Sequence, residues 1–222
     1  MSLVVVGTDT EVGKTVVSAV VLARYARRRR LAYWKPLATG ADGDTDTGLV
    51  RRWVGHRVEV LEEAYLYDPP VSPHLAARLA SRPIDPELIL GKLVQHALDD
   101  PRRNLVVEGI GGLHVPITDQ GYLLSHLLQD MHLPCLLVAR SGLGTINHTL
   151  LSLEALRKRE LEVAGIVMVG PRDKENKAAI EKYGDVKVTA ELEWLPRLGR
   201  ASIERAARKF DARGRLKRYF EA

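Results

Sequence analysis

The chain has 222 residues, 45% of them hydrophobic and 27% charged, and it carries a formal net charge of +5 at pH 7. This composition is typical of a globular protein and excludes a disordered or fibrous chain. No apolar stretch approaches the ~18 residues that a membrane span requires, and the apolar segment at residues 3–6 is too short for a signal peptide. We therefore expect no membrane partner.

The positive net charge raises the question of nucleic-acid binding, but the basic residues are concentrated in two runs. We expect residues 27–30 to close a helix, where cations complement the helix dipole. We expect residues 205–218 to form an amphipathic terminal helix with a solvated face. Both runs are explained without a nucleic acid, so we expect no such partner.

Cys135 is the single cysteine and lies in the apolar run at residues 134–139. A single cysteine excludes a disulfide within the chain, and its apolar neighbours predict a buried thiol. The cysteine content predicts a cytoplasmic protein.

From the N-terminus onward, apolar runs that predict strands alternate with helical segments. The predicted elements are strand 3–6, helix 14–29, strand 31–34, helix 86–98, strand 105–107, helix 122–131, strand 136–139, helix 145–159, strand 166–169 and helix 173–183. Continuous apolar runs suit strands that are covered on both faces. The alternation predicts a single doubly wound α/β domain over residues 1–222, with a mostly parallel sheet and helices on both faces. Polar loops at 36–46 and 109–121 each follow a strand, at the edge where such sheets bind ligands.

Residues 7–15 read Gly-Thr-Asp-Thr-Glu-Val-Gly-Lys-Thr, between the first strand and the first helix. Backbone N–H groups of such a loop point at phosphate oxygens, and the helix dipole favours their charge. Lys14 can reach the β- and γ-phosphates, and the Thr15 hydroxyl can ligate Mg²⁺. The first glycine of the standard motif would fall at Thr8, whereas this chain has Gly7. The strand and the long helix around the loop argue against an accidental Gly-Lys-Thr, and they predict a variant P-loop NTPase site for a nucleoside triphosphate and Mg²⁺.

Charged residues follow other strands. Lys35 comes directly after the second strand, and beside a triphosphate it could neutralise charge on a transferred phosphoryl group. The aspartates Asp42, Asp44 and Asp46 follow; alone, such a run most often forms a solvated loop. Glu108 ends an apolar strand and is either a helix-cap partner or a ligand of Mg²⁺, which prefers carboxylate oxygens.

The segment Ser141-Gly-Leu-Gly-Thr-Ile-Asn-His148 is a glycine turn that leads into a helix. It is either ordinary turn chemistry or a second anion site at a helix N-terminus.

Taken together, these residues resemble dethiobiotin synthetase, over most of the chain up to about Trp194. The set of motifs is specific, although no single member is. It comprises the loop at 7–15, Lys-Pro-x-Ala-Thr-Gly at 35–40, Ser-Pro-His at 72–74, Val-Glu-Gly-x-Gly-Gly at 107–112, Leu-Gly-Thr-Ile-Asn-His at 143–148 and Glu-Trp-Leu at 193–195.

The resemblance implies an ATP- and Mg²⁺-dependent ligase that closes the ureido ring of dethiobiotin. Its substrates would be 7,8-diaminononanoate and CO₂ or bicarbonate, with a carbamate and a carbamic-phosphoric anhydride as intermediates. By this resemblance Lys14 and Lys35 would be catalytic, and Thr15, Asp46 and Glu108 would hold Mg²⁺. The implied nucleotide contacts are Glu11, Val12, Gly13, Lys14, Thr15, Val16, Asp46, Glu108, Gly109, Ile110, Gly111, Val169, Gly170, Glu193, Trp194 and Leu195.

The resemblance also implies a homodimer with its active site at the subunit interface. Thr10 and Thr39 would face the diamine. The substrate carboxylate would lie at the partner's helix start, formed by Gly144, Thr145, Ile146 and Asn147. The residues by themselves show only that this helix start could hold an anion.

Many family members carry an asparagine after the fifth core strand to read the adenine edge. This chain has Val-Met-Val-Gly at 167–170, so no side chain there is assigned to base selection.

Two alternatives share parts of this pattern. Partitioning or positioning ATPases, switches that bind DNA or membrane, carry a second lysine early in the loop, where this chain has Thr8 and Asp9. Cobyrinate-type amide ligases need a glutamine-hydrolysing domain with a nucleophilic cysteine, for which we expect this chain to be too short. The synthetase is therefore favoured.

Overall fold

The central feature of the fold is a parallel sheet of seven strands. The computed structural model describes residues 2–27, 29–41 and 43–220, so Arg28 of the basic run and Asp42 of the aspartate run lie outside the described residues. Within these residues the strands are β1 (Leu3–Gly7), β2 (Leu31–Trp34), β3 (Leu37–Thr39), β4 (Glu59–Val60), β5 (Tyr65–Tyr67), β6 (Asn104–Gly112), β7 (Cys135–Arg140), β8 (Val163–Val169) and β9 (Val188–Leu192). The α-helices are α1 (Lys14–Tyr25), α2 (Asp46–Val54), α3 (Pro73–Leu79), α4 (Pro86–Asp99), α5 (Leu124–Met131), α6 (Thr145–Lys158), α7 (Lys174–Tyr183) and α8 (Arg200–Lys209).

The large sheet has the order β4-β2-β6-β1-β7-β8-β9, and all its neighbouring pairs are parallel. The two remaining strands, β3 and β5, form a small parallel pair of their own. The chain leaves β1 towards β2 on one side of the sheet and leaves the adjacent β7 towards β8 on the other. Such a switch point opens a crevice at the carboxyl ends of the strands, where ligands bind in open α/β sheets.

Alternate residues of the strands face opposite layers of helices. Val4 and Val6 of β1 lie in a core shared with α4, α5, α6 and α7, whereas Leu3 and Val5 lie in a core shared with α1, α2 and α8. Helices therefore cover both faces of a parallel sheet. This arrangement confirms the predicted doubly wound α/β fold and explains why its strands are apolar on both faces.

Both predicted loops contain regular structure that the sequence analysis did not anticipate. β6 continues through Gly112, so the first part of the predicted loop 109–121 is strand, with Gly7 of β1 opposite Gly112. The glycines of this segment were predicted to lie in a polar loop. Here they allow a close approach to the phosphate loop, whose Thr8 carbonyl oxygen would lie 3.4 Å from a Cβ on Gly112. The predicted loop 36–46 contains β3 and ends at the start of α2.

The helices predicted to contain the two basic runs end earlier than expected. α1 ends at Tyr25, so the described residues of the run 27–30 follow the helix rather than close it. The predicted terminal helix 205–218 is wrong, because α8 spans Arg200–Lys209. The buried Asp211, with φ of 45°, breaks the helix because its carboxylate accepts hydrogen bonds from the N–H groups of Arg215 and Leu216, both at 2.8 Å.

The prediction of a buried thiol is confirmed, because Cys135 is fully buried and burial raises its pKa to about 12. Among the described residues, no helix is both long and apolar enough to cross a membrane.

Candidate active site

The phosphate loop connects β1 to α1 and is held in a tight backbone conformation. A Cβ on Gly7 would lie 2.7 Å from the carbonyl oxygen of Asp9 and 2.8 Å from Cγ2 of Val12, so glycine is required there. Gly13 has φ of 95° and Glu11 has φ of 55°, in the left-handed region. The close approach thus falls at Gly7 rather than at Thr8, which accounts for the displaced first glycine of the motif.

Lys14 folds back into this loop. Its Nζ donates a hydrogen bond to the carbonyl oxygen of Asp9 at 2.9 Å, and the residue is only 7% exposed. Burial, assisted by the nearby charge of Lys35, lowers the pKa of Lys14 to about 8. The ammonium is therefore poorly compensated within the protein alone, which suits it to an anionic ligand.

The carboxyl ends of β2 and β6 bring two further charged groups to the loop. Glu108, in β6, is 1% exposed, and Lys35, directly after β2, is 4% exposed. Their Oε1 and Nζ atoms are 2.9 Å apart, and Lys35 Nζ is also 2.5 Å from Oδ2 of Asp46, the first residue of α2. Thr15 Oγ1 lies 2.7 Å from Asp46 Oδ1 and 2.9 Å from Glu108 Oε1, and its single proton can be donated to one of them at a time.

The charges in this cluster compensate one another. Burial opposes the charge of Lys35, but Glu108 and Asp46 outweigh burial and hold the pKa of Lys35 above its ordinary value. Burial likewise opposes the charge of Asp46, and Lys35 outweighs it and lowers the pKa of Asp46. Lys35 and Asp46 are therefore both charged at neutral pH.

The donor set at this edge suits a magnesium ion. Among the described residues, no group of three or more His, Cys, Asp or Glu side chains is placed to hold a metal. The edge offers instead one hydroxyl and two carboxylates, from Thr15, Asp46 and Glu108. Mg²⁺ is commonly held by one or two carboxylates together with phosphate oxygens and water. The three side chains therefore fit Mg²⁺ bound jointly with a nucleotide.

The predicted nucleotide contacts at 169–170 and 193–195 lie at or after the ends of β8 and β9. Cγ1 of Val169 lies 3.2 Å from where a Cβ on Gly13 would be, so the end of β8 touches the loop. Trp194, which follows β9, is 63% exposed and lies 3.7 Å from the corresponding point on Gly170. The residues on either side of Trp194 contact other parts of the protein. Glu193 forms an ion pair with Arg172 at 2.9 Å, and Leu195 packs against the core that includes α1.

The remaining predicted nucleotide contacts are close to the same loop but are less exposed. Val12 is buried, Val16 is partly buried in the first turn of α1, and Gly109, Ile110 and Gly111 belong to the end of β6. A Cβ on Gly109 would touch Leu124 of α5 at 3.4 Å.

The predicted substrate contacts fall into two groups. Thr10 is exposed in the loop, where Arg140 Nη2 donates to its carbonyl oxygen at 3.1 Å, and Thr39 is half-buried at the end of β3. Gly144, Thr145, Ile146 and Asn147 form the start of α6. Thr145 is buried and its hydroxyl donates to the carbonyl oxygen of Arg140, so backbone groups and the exposed Asn147 are what this helix start presents to solvent.

Three residues that contact the site were missed by the sequence analysis. Ser18 and Tyr33 both donate to Oε2 of Glu108 at 2.9 Å, and Arg140 contacts Asp9 and Thr10 of the loop. Periodicity could have found the first two. Ser18 is three residues after Thr15 on α1, and Tyr33 is two residues before Lys35 on the extended segment that includes β2.

Comparison with known proteins gives the family. A family model described as "AAA domain" matches residues 1–202. The ATP-dependent dethiobiotin synthetase BioD of Paramagnetospirillum magneticum is 44% identical over 199 residues, which are 90% of this chain and 91% of the relative. The ATP-dependent dethiobiotin synthetase BioD of Agrobacterium fabrum is 41% identical over 207 residues, 93% of this chain and 92% of the relative. The chain belongs to the ATP-dependent dethiobiotin synthetase family. It is therefore an ATP-dependent ligase of biotin biosynthesis, and the resemblance inferred from its motifs is confirmed.

Solved structures confirm the fold of this synthetase family member at low sequence identity. The ParA family ATPase from Chlorobium tepidum TLS aligns with a TM-score of 0.61 at 10% identity, over 99% of this chain and 98% of that one. The MinC:MinD cell division protein complex of Aquifex aeolicus aligns with a TM-score of 0.54 at 14% identity, over 94% and 95% of the two chains. At such identities the likeness shows the fold alone, so the alternative of a partitioning or positioning ATPase has less support than the synthetase.

Proposed function

We propose that this chain closes the ureido ring of dethiobiotin from 7,8-diaminononanoate and CO₂, at the edge formed by the phosphate loop and the ends of β2 and β6. One observation carries the assignment. Two lysines, two carboxylates and a hydroxyl, from Lys14, Lys35, Asp46, Glu108 and Thr15, converge on the phosphate loop in a member of the synthetase family.

The chemistry requires phosphorylation because a carbamate oxygen is a poor leaving group. One amine of the diamine attacks CO₂ and loses a proton, which gives a carbamate. A carbamate oxygen attacks the γ-phosphorus of ATP and ADP leaves, which gives the carbamic-phosphoric anhydride. The second amine attacks the anhydride carbon, loses a proton and displaces phosphate. The substrate supplies both nucleophiles, so the protein needs only to position and stabilise charge.

The two lysines take the charge-stabilising roles in this proposal. Lys14 would contact the phosphates and Lys35 the carbamate and the phosphoryl group in transfer. Thr15, Asp46 and Glu108 would hold Mg²⁺, which neutralises phosphate charge when it is bound. The residues 11–13, 16, 109–111, 169–170 and 193–195 would complete the nucleotide site. Val169 touches Gly13 of the loop, and Trp194 lies beside Gly170.

We also propose a homodimer in which the partner's helix start at 144–147 binds the substrate carboxylate. Leu143 beside this helix start is fully exposed, and Leu151 on the outer side of α6 is 57% exposed. Exposed apolar side chains of this size near a ligand site favour a protein partner. Thr10 and Thr39 would face the rest of the diamine.

Residues 1–222 are proposed to act as one domain, because α8 packs on α1 and α2, and the ring of Phe220 packs at a tilt against that of Tyr25 with ring centroids 4.8 Å apart. A cytoplasmic location, and the absence of nucleic-acid and membrane partners, stay predictions from the sequence.

A phosphate-release assay tests the proposal. With ATP and Mg²⁺, release should require both diaminononanoate and bicarbonate, because the acceptor oxygen exists only after the carbamate forms. Each component is omitted in turn, with DNA and lipid vesicles as added controls. Rapid release without the diamine, stimulated by DNA or vesicles, would instead support the switch ATPase.

A further inference from the structure

The carboxylate of Glu108 is held from two sides by four different side chains. Its Oε1 meets Thr15 Oγ1 and Lys35 Nζ, each at 2.9 Å. Its Oε2 accepts hydrogen bonds from Ser18 Oγ and Tyr33 OH, each also at 2.9 Å. The two oxygens therefore have separate and non-overlapping sets of partners.

The local geometry of two elements produces this division. Tyr33 and Lys35 are two residues apart and so lie on one face of the extended segment that includes β2, while Thr15 and Ser18 are three residues apart on α1. In each pair one member reaches Oε1 and the other reaches Oε2. The members that reach Oε1 are the ones next to the phosphate loop and Asp46.

The members that reach Oε2 are both completely buried. Ser18 and Tyr33 are 0% exposed, and they lie beneath Glu108 on the side of the α1 core. A buried carboxylate oxygen without donors would be strongly unfavourable, and two hydroxyl donors at fixed positions also restrict the rotation of the group. Nothing in the proposed chemistry requires either hydroxyl to touch substrate.

We infer that Ser18 and Tyr33 are positioning residues, which fix Oε2 of Glu108 so that Oε1 faces Thr15, Lys35 and the magnesium ion. The inference rests on the proposed role of Glu108 as a magnesium ligand. It adds that the orientation of the Glu108 carboxylate is set at its Oε2 atom, by one hydroxyl on α1 and one on β2.

Two substitutions remove only the hydroxyls, namely Tyr33→Phe and Ser18→Ala, alone and together. Magnesium affinity is measured by calorimetric titration of Mg²⁺ into the enzyme saturated with a non-hydrolysable ATP analogue. Loss of groups that orient a metal ligand commonly weakens metal binding by about 10- to 100-fold, and we expect the double variant to fall in this range. Affinity for the analogue in EDTA should change by no more than about twofold, since the loop is untouched. In turnover, the Mg²⁺ concentration for half-maximal rate should rise more than kcat falls.

Tyr25→Phe is the matched control, because Tyr25 also donates to a carboxylate, that of Asp211, away from the phosphate loop. Its magnesium affinity should equal that of the unmodified protein. Unchanged magnesium affinity in the folded double variant would overturn the inference, as would equal losses with and without Mg²⁺. If the double variant does not fold, the single variants decide by the same two criteria.

Glu108→Gln separates the positioning inference from the proposed role of Glu108 as a magnesium ligand. If it leaves magnesium affinity unchanged, the proposed metal role fails. If Glu108→Gln weakens magnesium binding and the Ser18 and Tyr33 variants do not, only the positioning inference fails.

Discussion

The lowered pKa of Lys14 makes nucleotide binding a proton-linked event. Burial and the charge of Lys35 bring this pKa to about 8 from an ordinary value of 10.5. Lys14 would then be about 90% protonated at pH 7 and about 10% protonated at pH 9. A bound triphosphate stabilises the ammonium and raises the pKa again. ATP binding should therefore take up about 0.1 proton at pH 7 and about 0.9 proton at pH 9.

The sign of the linkage follows from these numbers. Because the free protein holds fewer protons than the complex above pH 8, affinity must fall as pH rises through that region. Between pH 7 and pH 9 the loss should be about tenfold, or ~1.4 kcal/mol.

The assay is calorimetric titration of ATP in EDTA, in pairs of buffers with different ionisation enthalpies. Lys14→Met serves as the reference, since it keeps the ionisation of the phosphate but lacks the titrating amine. The reasoning would be refuted if the number of protons taken up on ATP binding did not change between pH 7 and pH 9. It would also be refuted if Lys14→Met took up the same number of protons as the unmodified protein.

Three further outcomes are expected. Lys14→Ala and Lys35→Ala should each lower kcat for diamine-dependent phosphate release by about 10²-fold or more, the scale seen when one charge-stabilising group is lost; a loss below about threefold would remove that lysine from the chemistry. A mixture of the inactive variants Lys35→Ala and Asn147→Ala should regain part of its activity through hybrid dimers with one intact site; no recovery after verified subunit exchange would place the carboxylate site within one chain. Cys135, with its pKa raised by burial to about 12, should react with a thiol reagent only after unfolding, and rapid labelling of the folded protein would contradict its burial.

The local sequence was sufficient to predict those parts of the site that are formed by residues close together in the chain. The strand, loop and helix start at 3–15 are contiguous, so the positions of Lys14 and Thr15 followed from the motif. Lys35 and Glu108 were recognised because each comes at or near the end of an apolar strand. In a parallel sheet such ends share an edge, whatever the strand order.

The parts that escaped prediction depend on packing between distant segments. Periodicity places Ser18 beside Thr15 and Tyr33 beside Lys35, but it does not show that both meet Glu108 across sequence separations of 90 and 75 residues. The length of β6 was missed because its glycines, which usually interrupt a strand, here allow close contact with the phosphate loop. The terminal helix was misjudged because a buried aspartate, Asp211, caps a turn that amphipathic spacing alone does not reveal.

The end of β8 offers few free polar groups that could distinguish one nucleotide base from another. At the end of β8, the carbonyl oxygen of Val169 already accepts from Ser141 N–H at 3.0 Å, and Gly170 N–H already donates to the carbonyl oxygen of Leu192 at 2.9 Å. A Cβ on Gly170 would lie 2.4 Å from Oγ of Ser141, so a side chain would fit there only if Ser141 moved. The exposed ring of Trp194 lies beside Gly170, and stacking on an aromatic ring tolerates every base.

We therefore expect ATP, GTP, CTP and UTP to support turnover within about two orders of magnitude of one another. One lost base contact is worth about 1–3 kcal/mol, or roughly 5- to 150-fold, and the phosphate grip of the loop is the same for all four. The measurement is kcat/KM for each triphosphate at saturating diamine and bicarbonate. Trp194→Ala should weaken all four by similar factors, because stacking is blind to the base edge. If kcat/KM for ATP exceeded the other values by more than about a thousandfold, another group would have to recognise adenine. If Trp194→Ala lowered kcat/KM for ATP alone, that group would lie near residues 193–197.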